Sequence, residues 1–342
     1  ISKFNMDIAA SIQKVTEDIL MKITKSIKKE YKIDNLCLAG GVALNCVANG
    51  KILQNDIFKN IWIQPAAGDA GGSLGAALSL WHKELNHERI VSSNDAMKGS
   101  YLGPEYSNEY IENELKQLGA NFIKLNENEI IDKTAEELSR GNAIGWFQGK
   151  MEFGPRALGC RSIIADPRNE SMQKNLNLKV KFRESFRPFA PSILIEDLKE
   201  WFELDVESPY MLFVAQILKK RQLNMNDNQK KLFGIEKLNI KRSDIPAVTH
   251  VDYSARVQTV KKETNIKYYN LIKKFKEKTN CPILVNTSFN IRGEPIVNTP
   301  SDAFKCFMGT DLDNLVIGNY FLDKKLQNKN MRKSYKNDFE LD

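Results

Sequence analysis

The residues most suited to chemistry in this chain lie between Gly149 and Pro191, where glycines, arginines and phenylalanines are interspersed. Glycine lets the backbone approach a ligand closely, and guanidinium groups match the oxygens of phosphates and carboxylates. A basic surface with ordinary turns is the simpler alternative, but the ordered prolines, glycines and aromatic residues favour a packed pocket. The stretch therefore predicts a site for a small phosphorylated anion. Nine positive side chains here outnumber four acidic ones, and they are Lys150, Arg156, Arg161, Arg168, Lys174, Lys179, Lys181, Arg183 and Arg187.

A second group of polar side chains lies in the segment 286–296, directly after a buried strand predicted at 282–285. The segment carries amide, hydroxyl and guanidinium groups, and its main candidates are Asn286, Ser288, Asn290 and Arg292. These groups are the hydrogen-bond donors that a carbamoyl or phosphate group requires. A simple turn needs fewer of them, so the segment is a second candidate for ligand binding.

The segment 249–260 alternates apolar and polar residues, a pattern that is typical of a half-buried strand. In such a strand His250, Asp252 and Arg256 would project on one side. A satisfied structural network and a substrate site are equally compatible with this arrangement.

Two glycine-rich turns near the start of the chain each join a predicted strand to a predicted helix. The turn at Gly40 and Gly41, followed by Asn45, offers backbone amides for a nucleotide phosphate or ribose, although close helix–strand packing explains these glycines equally well. Asp69 lies in the second turn, between small residues that leave space for a metal ion or phosphate. An aspartate in such a turn is more often a capping or Asx-turn residue.

The elements that must position these residues follow from hydrophobic spacing. Apolar residues at steps of three and four predict a helix over 7–29, and strand–turn–helix units follow at 35–54 and 61–85. Two such units in succession indicate an α/β layer, in which ligands bind at the carboxyl ends of the strands.

The rest of the chain predicts a second unit after a polar junction at 87–107, which includes Ser92 and Ser93. Residues 217–243 are predicted to form a mobile surface insertion, and the polar residues from Leu326 onward are predicted to be frayed. The remaining predicted elements are helices near 108–118, 127–140 and 264–278, strands at 143–147 and 282–285, and a helix capped by Thr299.

The overall composition bounds the class of protein. The chain has 342 residues, 42% of them hydrophobic and 27% charged, which is ordinary for a soluble globular protein and long enough for two domains. No apolar run approaches the ~20 residues that cross a bilayer. The net charge of +7 suits anionic substrates and also nucleic acid. Five scattered cysteines without a CxxC pair indicate a reducing cytoplasm and argue against disulfides or a zinc site.

Several of these segments, in the same order, resemble the NodU/TobZ/CmcH family of O-carbamoyltransferases. They are residues 36–45, 65–72, the GKMEFGPRALG loop at 149–159, and residues 181–191, 250–260 and 286–295. The resemblance implies an α/β protein made of two domains and a tail. Residues 1–90 would form the second half of an actin- and sugar-kinase-like (ASKHA) domain, residues 91–325 an α+β YrdC-like domain, and residues 326–342 a polar tail. Because the chain begins at Ile1, we expect it to be part of a longer protein.

The resemblance also implies a two-step reaction. Carbamoyl phosphate and ATP, the latter with Mg²⁺, would give carbamoyladenylate, and the carbamoyl group would then move to a hydroxyl of an acceptor that the sequence does not identify. The implied catalytic residues are Lys150, Arg156, His250 and Arg256. The implied substrate- and ATP-binding residues are Gly40, Gly41, Asn45, Arg161, Lys181, Arg183, Arg187, Asp252, Asn286, Ser288, Asn290 and Arg292. Asp69 matches a metal ligand of the family, whose metal is usually Fe²⁺.

The chain departs from the family pattern in two places. The family's HxxH motif, which supplies histidines to the iron, is absent, so Asp69 lacks these partners and we expect weak iron binding by this chain alone. Tyr253 stands where the family usually has glycine.

Two other functions are compatible with the sequence: threonylcarbamoyl modification of tRNA, and a non-catalytic nucleotide- or RNA-binding module. We rank both below carbamoyl transfer because the positive charge is concentrated in the motifs. We expect small-molecule substrates, no membrane and no nucleic acid, and a cytoplasmic location. A homodimer is compatible with the sequence.

Overall fold

Strands and helices alternate along the part of the chain that the computed structural model describes, which comprises residues 2–91, 95–332 and Phe339. The protein is a mixed α/β structure, as predicted. The strands are β1 (Asn35–Leu38), β2 (Asn60–Ile63), β3 (Ile123–Lys124), β4 (Ile144–Phe147), β5 (Arg161–Ala165), β6 (Ala190–Leu194), β7 (Phe213–Gln216), β8 (Ser254–Val260), β9 (Ile283–Ser288), β10 (Asn314–Ile317) and β11 (Tyr320–Asp323). The α-helices are α1 (Lys3–Tyr31), α2 (Cys46–Gln54), α3 (Ala70–Ser79), α4 (Asn108–Gln117), α5 (Glu127–Ser139), α6 (Met172–Asn175), α7 (Leu198–Trp201), α8 (Asp227–Lys230), α9 (Gly234–Leu238), α10 (Ile266–Thr279) and α11 (Pro300–Gly309).

Nine of the strands form one mixed sheet in the order β3-β11-β10-β4-β5-β9-β6-β8-β7. The pairs β10–β4 and β6–β8 are parallel, whereas the other neighbours are antiparallel. Strands β4, β5, β6 and β10 are buried at every position, which explains their largely apolar sequences. Helices α5 and α10 pack against each other, and the core includes Trp146, Tyr268, Phe275 and Phe307. This sheet is the rigid base that positions the loops of the site.

A small parallel sheet of β1 and β2 lies in the N-terminal part with α1, α2 and α3. Helix α2 packs on β7, the edge strand of the large sheet, so closely that a Cβ added at Gly50 would lie 2.4 Å from the carbonyl oxygen of Val214. Asn49, buried on the same helix, donates from Nδ2 to the carbonyl oxygen of Leu212 at 3.2 Å. The two sheets are therefore joined through α2 and β7.

The predicted helix over 7–29 is present as α1, but its apolar stripe is exposed. Glu17 and Thr24 are buried instead, and Glu17 forms an ion pair with Lys51 of α2. Helix α3 likewise contributes no buried residue. The stripe, which is 37–64% exposed, consists of Ile8, Ile12, Val15, Ile19, Ile23 and Ile27.

The predicted helix over 42–54 is divided in the structure. Residues Gly41–Leu44 form a short 3-10 helix, and Asn45 then caps α2 by accepting a hydrogen bond from the backbone N–H of Ala48 at 3.1 Å. The break arises because the capping residue leaves helical geometry in order to satisfy a free amide of the next helix.

The predicted insertion and tail are both more tightly held than expected. In the insertion 217–243, buried Arg242 donates to the carbonyl oxygens of Lys237 at 2.7 Å and Thr249 at 3.0 Å. In the predicted tail, buried Gln327 accepts from the backbone N–H of Asn121 at 2.9 Å and donates to its carbonyl oxygen at 2.7 Å. The expectation of a frayed segment from Leu326 is therefore wrong up to Gln327. Residues 333–338 and 340–342, and Ser92 and Ser93 of the predicted junction, lie outside the described residues.

The five cysteines are free thiols in the structure. Within the described ranges, every α-helix is either too short or too polar to cross a bilayer.

Candidate anion-binding site

A buried carboxylate shapes the glycine-containing loop that precedes β5. Glu152 accepts hydrogen bonds through Oε1 from the backbone N–H of Leu158 at 2.6 Å and of Cys160 at 2.8 Å. Burial raises the pKa of this carboxyl group. Gly159 has a φ of 107°, and a Cβ at this position would lie 2.3 Å from the ring of Tyr268. The loop therefore needs glycine at this point, and its fixed shape presents Arg156.

Arg161 holds this loop from inside the protein. Its fully buried guanidinium donates to the carbonyl oxygens of Gln148 at 2.9 Å, Gly149 at 3.2 Å and Pro104 at 3.2 Å. It also stacks over the ring of Phe147 at 3.5 Å. The Nη1 and Nη2 atoms of Arg161 are thus engaged by the backbone, whereas its Nε is buried without a hydrogen-bond partner among the described residues. These contacts give Arg161 a structural role, and its binding of substrate stays a prediction.

Asn286 and Gln258 hold the other side of the loop. Asn286 donates from Nδ2 to the carbonyl oxygen of Ala157 at 3.2 Å and to Oε1 of Gln258 at 2.7 Å, while Gln258 donates to the carbonyl oxygen of Leu158 at 2.8 Å. The Oδ1 atom of Asn286 is buried and has no partner among the described residues. Sequence reasoning missed Gln258, although its place two residues after Arg256 in the alternating segment put it on the same side of β8.

Four arginines from three parts of the chain meet next to this loop. Arg156 is half-buried, and its Nε atom is buried without a hydrogen-bond partner among the described residues. Burial and, to a smaller extent, the charge of Arg256 together lower the pKa of Arg156 to about 10. Burial also lowers the pKa of Arg183 to about 10, with added effects of Arg187 and Arg256. The arginines therefore repel one another at a partly desolvated site, which favours an anion between them.

Cys46, the first residue of α2, lies next to this arginine cluster. Arg256, on β8, lies close enough to Cys46 for the two side chains to interact electrostatically, and burial lowers the pKa of this guanidinium. The N-terminal sheet and the large sheet therefore both contribute to the surroundings of the cluster. Nothing in the residue spacing indicated this contact.

Glu184 is an acidic residue at the edge of the arginine cluster, where it forms ion pairs with Arg187 and Arg292. It lies 3.0 Å from Nε of Arg187 and 3.1 Å from Nη1 of Arg292. In the part of the chain that the structure describes, no carboxylate forms an ion pair with Arg156, Arg183 or Arg256. The positive charge is thus neutralised at Arg187 and Arg292 but not at the centre.

Lys181 connects the predicted basic stretch 149–191, in which it lies, with the predicted polar segment 286–296. Its Nζ lies 2.6 Å from the carbonyl oxygen of Ser288 and 2.6 Å from Oδ1 of Asn290. Burial lowers the pKa of Lys181 to about 7, with a smaller effect from the charge of Arg183. Asn290 in turn donates from Nδ2 to the carbonyl oxygen of Glu294 at 2.6 Å. These predicted ligand-binding groups bind one another and hold the loop after β9 beside Arg183.

The predicted strand at 249–260 begins only at Ser254, which corrects the arrangement expected for His250 and Asp252. Residues 250–253 form a turn in which the N–H of Tyr253 donates to the carbonyl oxygen of His250 at 3.1 Å. Tyr253 has a φ of 64°, the left-handed region that glycine adopts without strain. This conformation explains why glycine suits the position and why the strand starts after it.

His250 lies beside the arginine cluster as a neutral group. Its Nδ1 is 3.0 Å from Oγ of Ser254, and this hydroxyl donates to Oδ1 of Asp252 at 2.7 Å. Burial lowers the pKa of His250 to about 4; the charges of Arg256 and Arg242 act in the same direction, and Asp252 opposes them. The imidazole is therefore uncharged at neutral pH.

The remaining predicted residues show no contact with the cluster in the described structure. Lys150 is exposed, and Asn45 pairs through Nδ2 with Oε1 of Gln13 at 2.9 Å. Gly40 and Gly41 are exposed and border open space.

Asp69 does not form a metal site with other described residues. It is exposed at the start of α3, and its side chain makes no capping hydrogen bond. Within residues 2–91, 95–332 and Phe339, no group of three His, Cys, Asp or Glu side chains could hold a metal ion. The donors present here do not fit the iron that the resemblance implies.

Comparisons with known proteins agree on one family. The models of the carbamoyltransferase C-terminus and N-terminus match residues 135–324 and 2–78. An uncharacterized protein of Synechocystis sp. is 57% identical over 98% of this chain and 55% of its own length. The nodulation protein NolO of Bradyrhizobium diazoefficiens is 41% identical over 93% of this chain and 55% of its own length. The 3'-hydroxymethylcephem-O-carbamoyltransferase of Amycolatopsis lactamdurans is 30% identical over 83% of this chain and 48% of its own length.

Among solved structures, full-length HypF in its phosphate- and nucleotide-bound form aligns with 59% of this chain and 22% of its own. The identity of 15% and TM-score of 0.34 are too low to carry an argument.

These matches define a family of group-transferring enzymes. The chain belongs to the carbamoyltransferase family, and the resemblance seen in its motifs is confirmed. It spans about half the length of the curated relatives it matches.

Proposed function

We propose that this chain supplies the part of an O-carbamoyltransferase that binds carbamoyl phosphate and ATP and forms carbamoyladenylate. The observation that carries the proposal is the cluster of Arg156, Arg183 and Arg256, in which Arg256 lowers the pKa of both other arginines. A phosphate dianion would offset this repulsion. Each charge-assisted hydrogen bond to it would contribute roughly 1.5–3 kcal/mol.

The first reaction needs electrostatic stabilisation more than covalent help from the protein. Carbamoyl phosphate, ATP and water give carbamoyladenylate, inorganic phosphate and pyrophosphate, and negative charge builds up on the departing phosphate groups. Arg156 and Arg256 would hold these oxygens, with Arg183 and Arg187 beside them. Fixed positive groups in a partly dry site lower the barrier because they need no reorganisation during the reaction.

The other predicted residues would act around this centre. Lys150 is exposed in the same loop, so its flexible side chain could approach a bound phosphate. His250, as a neutral imidazole, can exchange hydrogen bonds with a ligand without adding repulsion to Arg256. Lys181 would position Ser288 and Asn290, and Asn286 would position the arginine loop while its unpartnered Oδ1 accepts from a carbamoyl N–H.

The N-terminal residues 1–90 would belong to an ASKHA-like domain and residues 91–325 to a YrdC-like domain. The exposed apolar stripe of α1 supports a further packing partner for the first of these. Gly40, Gly41 and Asn45 are candidates for nucleotide contacts there, with Mg²⁺ accompanying ATP as substrate. Asp69 stays a metal-ligand candidate only with donors outside the described residues, and no step proposed here involves iron. The free cysteines support a cytoplasmic location.

Calorimetric titration with carbamoyl phosphate, with inorganic phosphate as the reference ligand, tests the proposal. We expect saturable binding that prefers carbamoyl phosphate and that is lost in Arg156→Ala. Arg140→Ala is the matched control, because Arg140 is an exposed arginine paired with Glu136 and Glu137 on α5. Equal affinity in Arg156→Ala and the wild type would refute the site.

Salt dependence separates this function from RNA binding. Affinity for RNA should fall by orders of magnitude as salt rises from about 50 to 200 mM, because many phosphate contacts release counterions. Binding of one small anion should weaken far less. Tight, steeply salt-dependent binding of a mixed tRNA pool, without binding of carbamoyl phosphate, would favour the nucleic-acid alternatives.

A further inference from the structure

A short row of hydrogen bonds at the start of β8 ends on the ring of His250. Oγ of buried Ser254 lies 2.7 Å from Oδ1 of Asp252 and 3.0 Å from Nδ1 of His250. A carboxylate oxygen only accepts hydrogen bonds, so the single hydrogen of the Ser254 hydroxyl points to Asp252. The hydroxyl oxygen must therefore accept a hydrogen bond from His250, and Nδ1 carries the proton of the ring.

A neutral imidazole with its proton on Nδ1 has a bare nitrogen at Nε2. Burial keeps the ring of His250 uncharged at neutral pH by lowering its pKa to about 4; the charges of Arg256 and Arg242 act in the same direction, and Asp252 opposes them. Nε2 has no hydrogen-bond partner among the described residues, and His250 is only partly buried. Nε2 is thus a hydrogen-bond acceptor that a ligand can reach.

The backbone that carries this ring is held on both sides. The N–H of His250 donates to the carbonyl oxygen of Ser254 at 2.8 Å, and the carbonyl oxygen of His250 accepts from Nε of Arg242 at 3.1 Å. Arg242 is buried and also donates from Nη2 to the carbonyl oxygen of Thr249 at 3.0 Å. The imidazole therefore projects from a turn that these contacts keep in place.

The acceptor at Nε2 lies beside a site that is otherwise rich in donors. Arg256 follows Ser254 by two residues on the same side of β8, about 7 Å along the strand, and its charge acts on His250. Guanidinium groups donate hydrogen bonds and cannot accept them. The carboxylate of Glu184 is already engaged in ion pairs. A phosphate finds its partners among the arginines, whereas an N–H donor of the same ligand needs an acceptor such as Nε2 of His250.

We propose that Nε2 of His250 accepts a hydrogen bond from the amino group of carbamoyl phosphate and so distinguishes this ligand from acyl phosphates, with Ser254 as the positioning residue that fixes the tautomer. This inference rests on the proposed binding of carbamoyl phosphate at the arginine cluster. The amino group has two N–H donors, and Oδ1 of Asn286 would accept from the other. Acetyl phosphate has a methyl group in place of the amino group and would leave both acceptors without a partner.

The tautomer of His250 is measured in the ligand-free chain with ¹⁵N-labelled histidine, because the ¹⁵N shift separates a protonated ring nitrogen from a bare one. The chain has three histidines, and single His→Phe substitutions assign their signals. We expect the proton on Nδ1 in the wild type and a mixture of both tautomers in Ser254→Ala. A proton on Nε2 in the wild type, or an unchanged tautomer in Ser254→Ala, would overturn the inference.

Calorimetric titrations with carbamoyl phosphate, acetyl phosphate and inorganic phosphate test the recognition itself. We expect the wild type to prefer carbamoyl phosphate over acetyl phosphate, and this preference to fall about three- to tenfold in His250→Phe and Ser254→Ala. The affinity for inorganic phosphate should stay the same in both variants. His87→Phe is the matched control, because His87 is exposed and stacks on Trp81, and it should keep the preference of the wild type.

The outcomes separate this inference from the proposed function. An unchanged preference in His250→Phe would overturn the inference and leave the anion site in place. If His250→Phe does not fold, the wild type decides: the Nε2 signal of His250 should shift with carbamoyl phosphate and stay in place with acetyl phosphate, and equal shifts would overturn the inference. No binding of any of the three phosphates would refute the proposed function and this inference with it.

Discussion

Replacing Arg156 with methionine should weaken ligand binding and, at the same time, stabilise the ligand-free protein. Methionine keeps most of the side-chain volume and removes the charge. Because Arg156 carries a positive charge beside Arg256 with no carboxylate partner in the described structure, the folded protein holds this charge at a cost. A bound phosphate removes that cost.

The size of the expected stabilisation follows from the lowered pKa of Arg156. Keeping the guanidinium charged where its pKa is about 10, against an ordinary value near 12.5, corresponds to about 3 kcal/mol. Arg156 is only half-buried, so water screens part of this cost and about 1–2 kcal/mol is expected as the gain in the free energy of unfolding. Loss of one charge-assisted contact should weaken carbamoyl phosphate binding by about 10- to 100-fold.

Urea denaturation at pH 7, with and without phosphate, measures both effects. In buffer free of anions, Arg156→Met should unfold at a higher urea concentration than the wild type. Saturating phosphate should stabilise the wild type by about 2–3 kcal/mol and the variant far less. Arg140→Met should change neither result. A variant that is less stable than the wild type, and that phosphate still stabilises fully, would refute the reasoning.

Three further predictions test the scaffold around the site. Gly50→Ala should lower the free energy of unfolding by about 1–3 kcal/mol, because the new Cβ would lie 2.4 Å from the carbonyl oxygen of Val214; an unchanged urea midpoint would contradict the α2–β7 contact. Tyr253→Gly should be about 1 kcal/mol more stable than Tyr253→Ala, because only glycine adopts a φ of 64° without strain; equal midpoints would argue against this turn. The unfolded chain protonates His250 near pH 6.5 but the folded protein only near pH 4, so the unfolded state binds more protons between these values. The wild type should therefore lose about 1–2 kcal/mol more than His250→Asn between pH 6.5 and 4.5, and parallel pH profiles would contradict a buried neutral imidazole.

The sequence predicted the α/β class and the family from motifs, but it could not separate two arginines in one motif. Arg156 and Arg161 are five residues apart and have the same donors. The left-handed conformation of Gly159 and the carboxylate of Glu152 decide that Arg161 turns inward to the backbone while Arg156 stays at the cluster. The first depends on the close packing of Gly159 against Tyr268 and the second on the folded shape of the loop, so neither can be read from spacing.

The alternation over 249–260 predicted a strand but not its first residue. Periodicity reports which positions can be buried, whereas the turn at Tyr253 depends on a backbone conformation unusual for tyrosine. In the same way, the contact of Arg256 with Cys46 joins residues 210 positions apart. It exists only because α2 packs on β7. The domain bounds at residues 90 and 325 stay predictions.

The most direct test of the central claim is NMR of the arginine side-chain Nε–H groups in the ¹⁵N-labelled chain during titration with carbamoyl phosphate. Single Arg→Lys substitutions assign the signals. The account predicts saturable shifts for Arg156 and Arg256 and unchanged signals for Arg161 and Arg242. Nε of Arg242 donates to the carbonyl oxygen of His250, and Nε of Arg161 lies in a buried guanidinium whose Nη atoms donate to backbone carbonyls. Shifts confined to Arg161 and Arg242, or no shift at Arg156 under saturating ligand, would contradict an anion site at the arginine cluster.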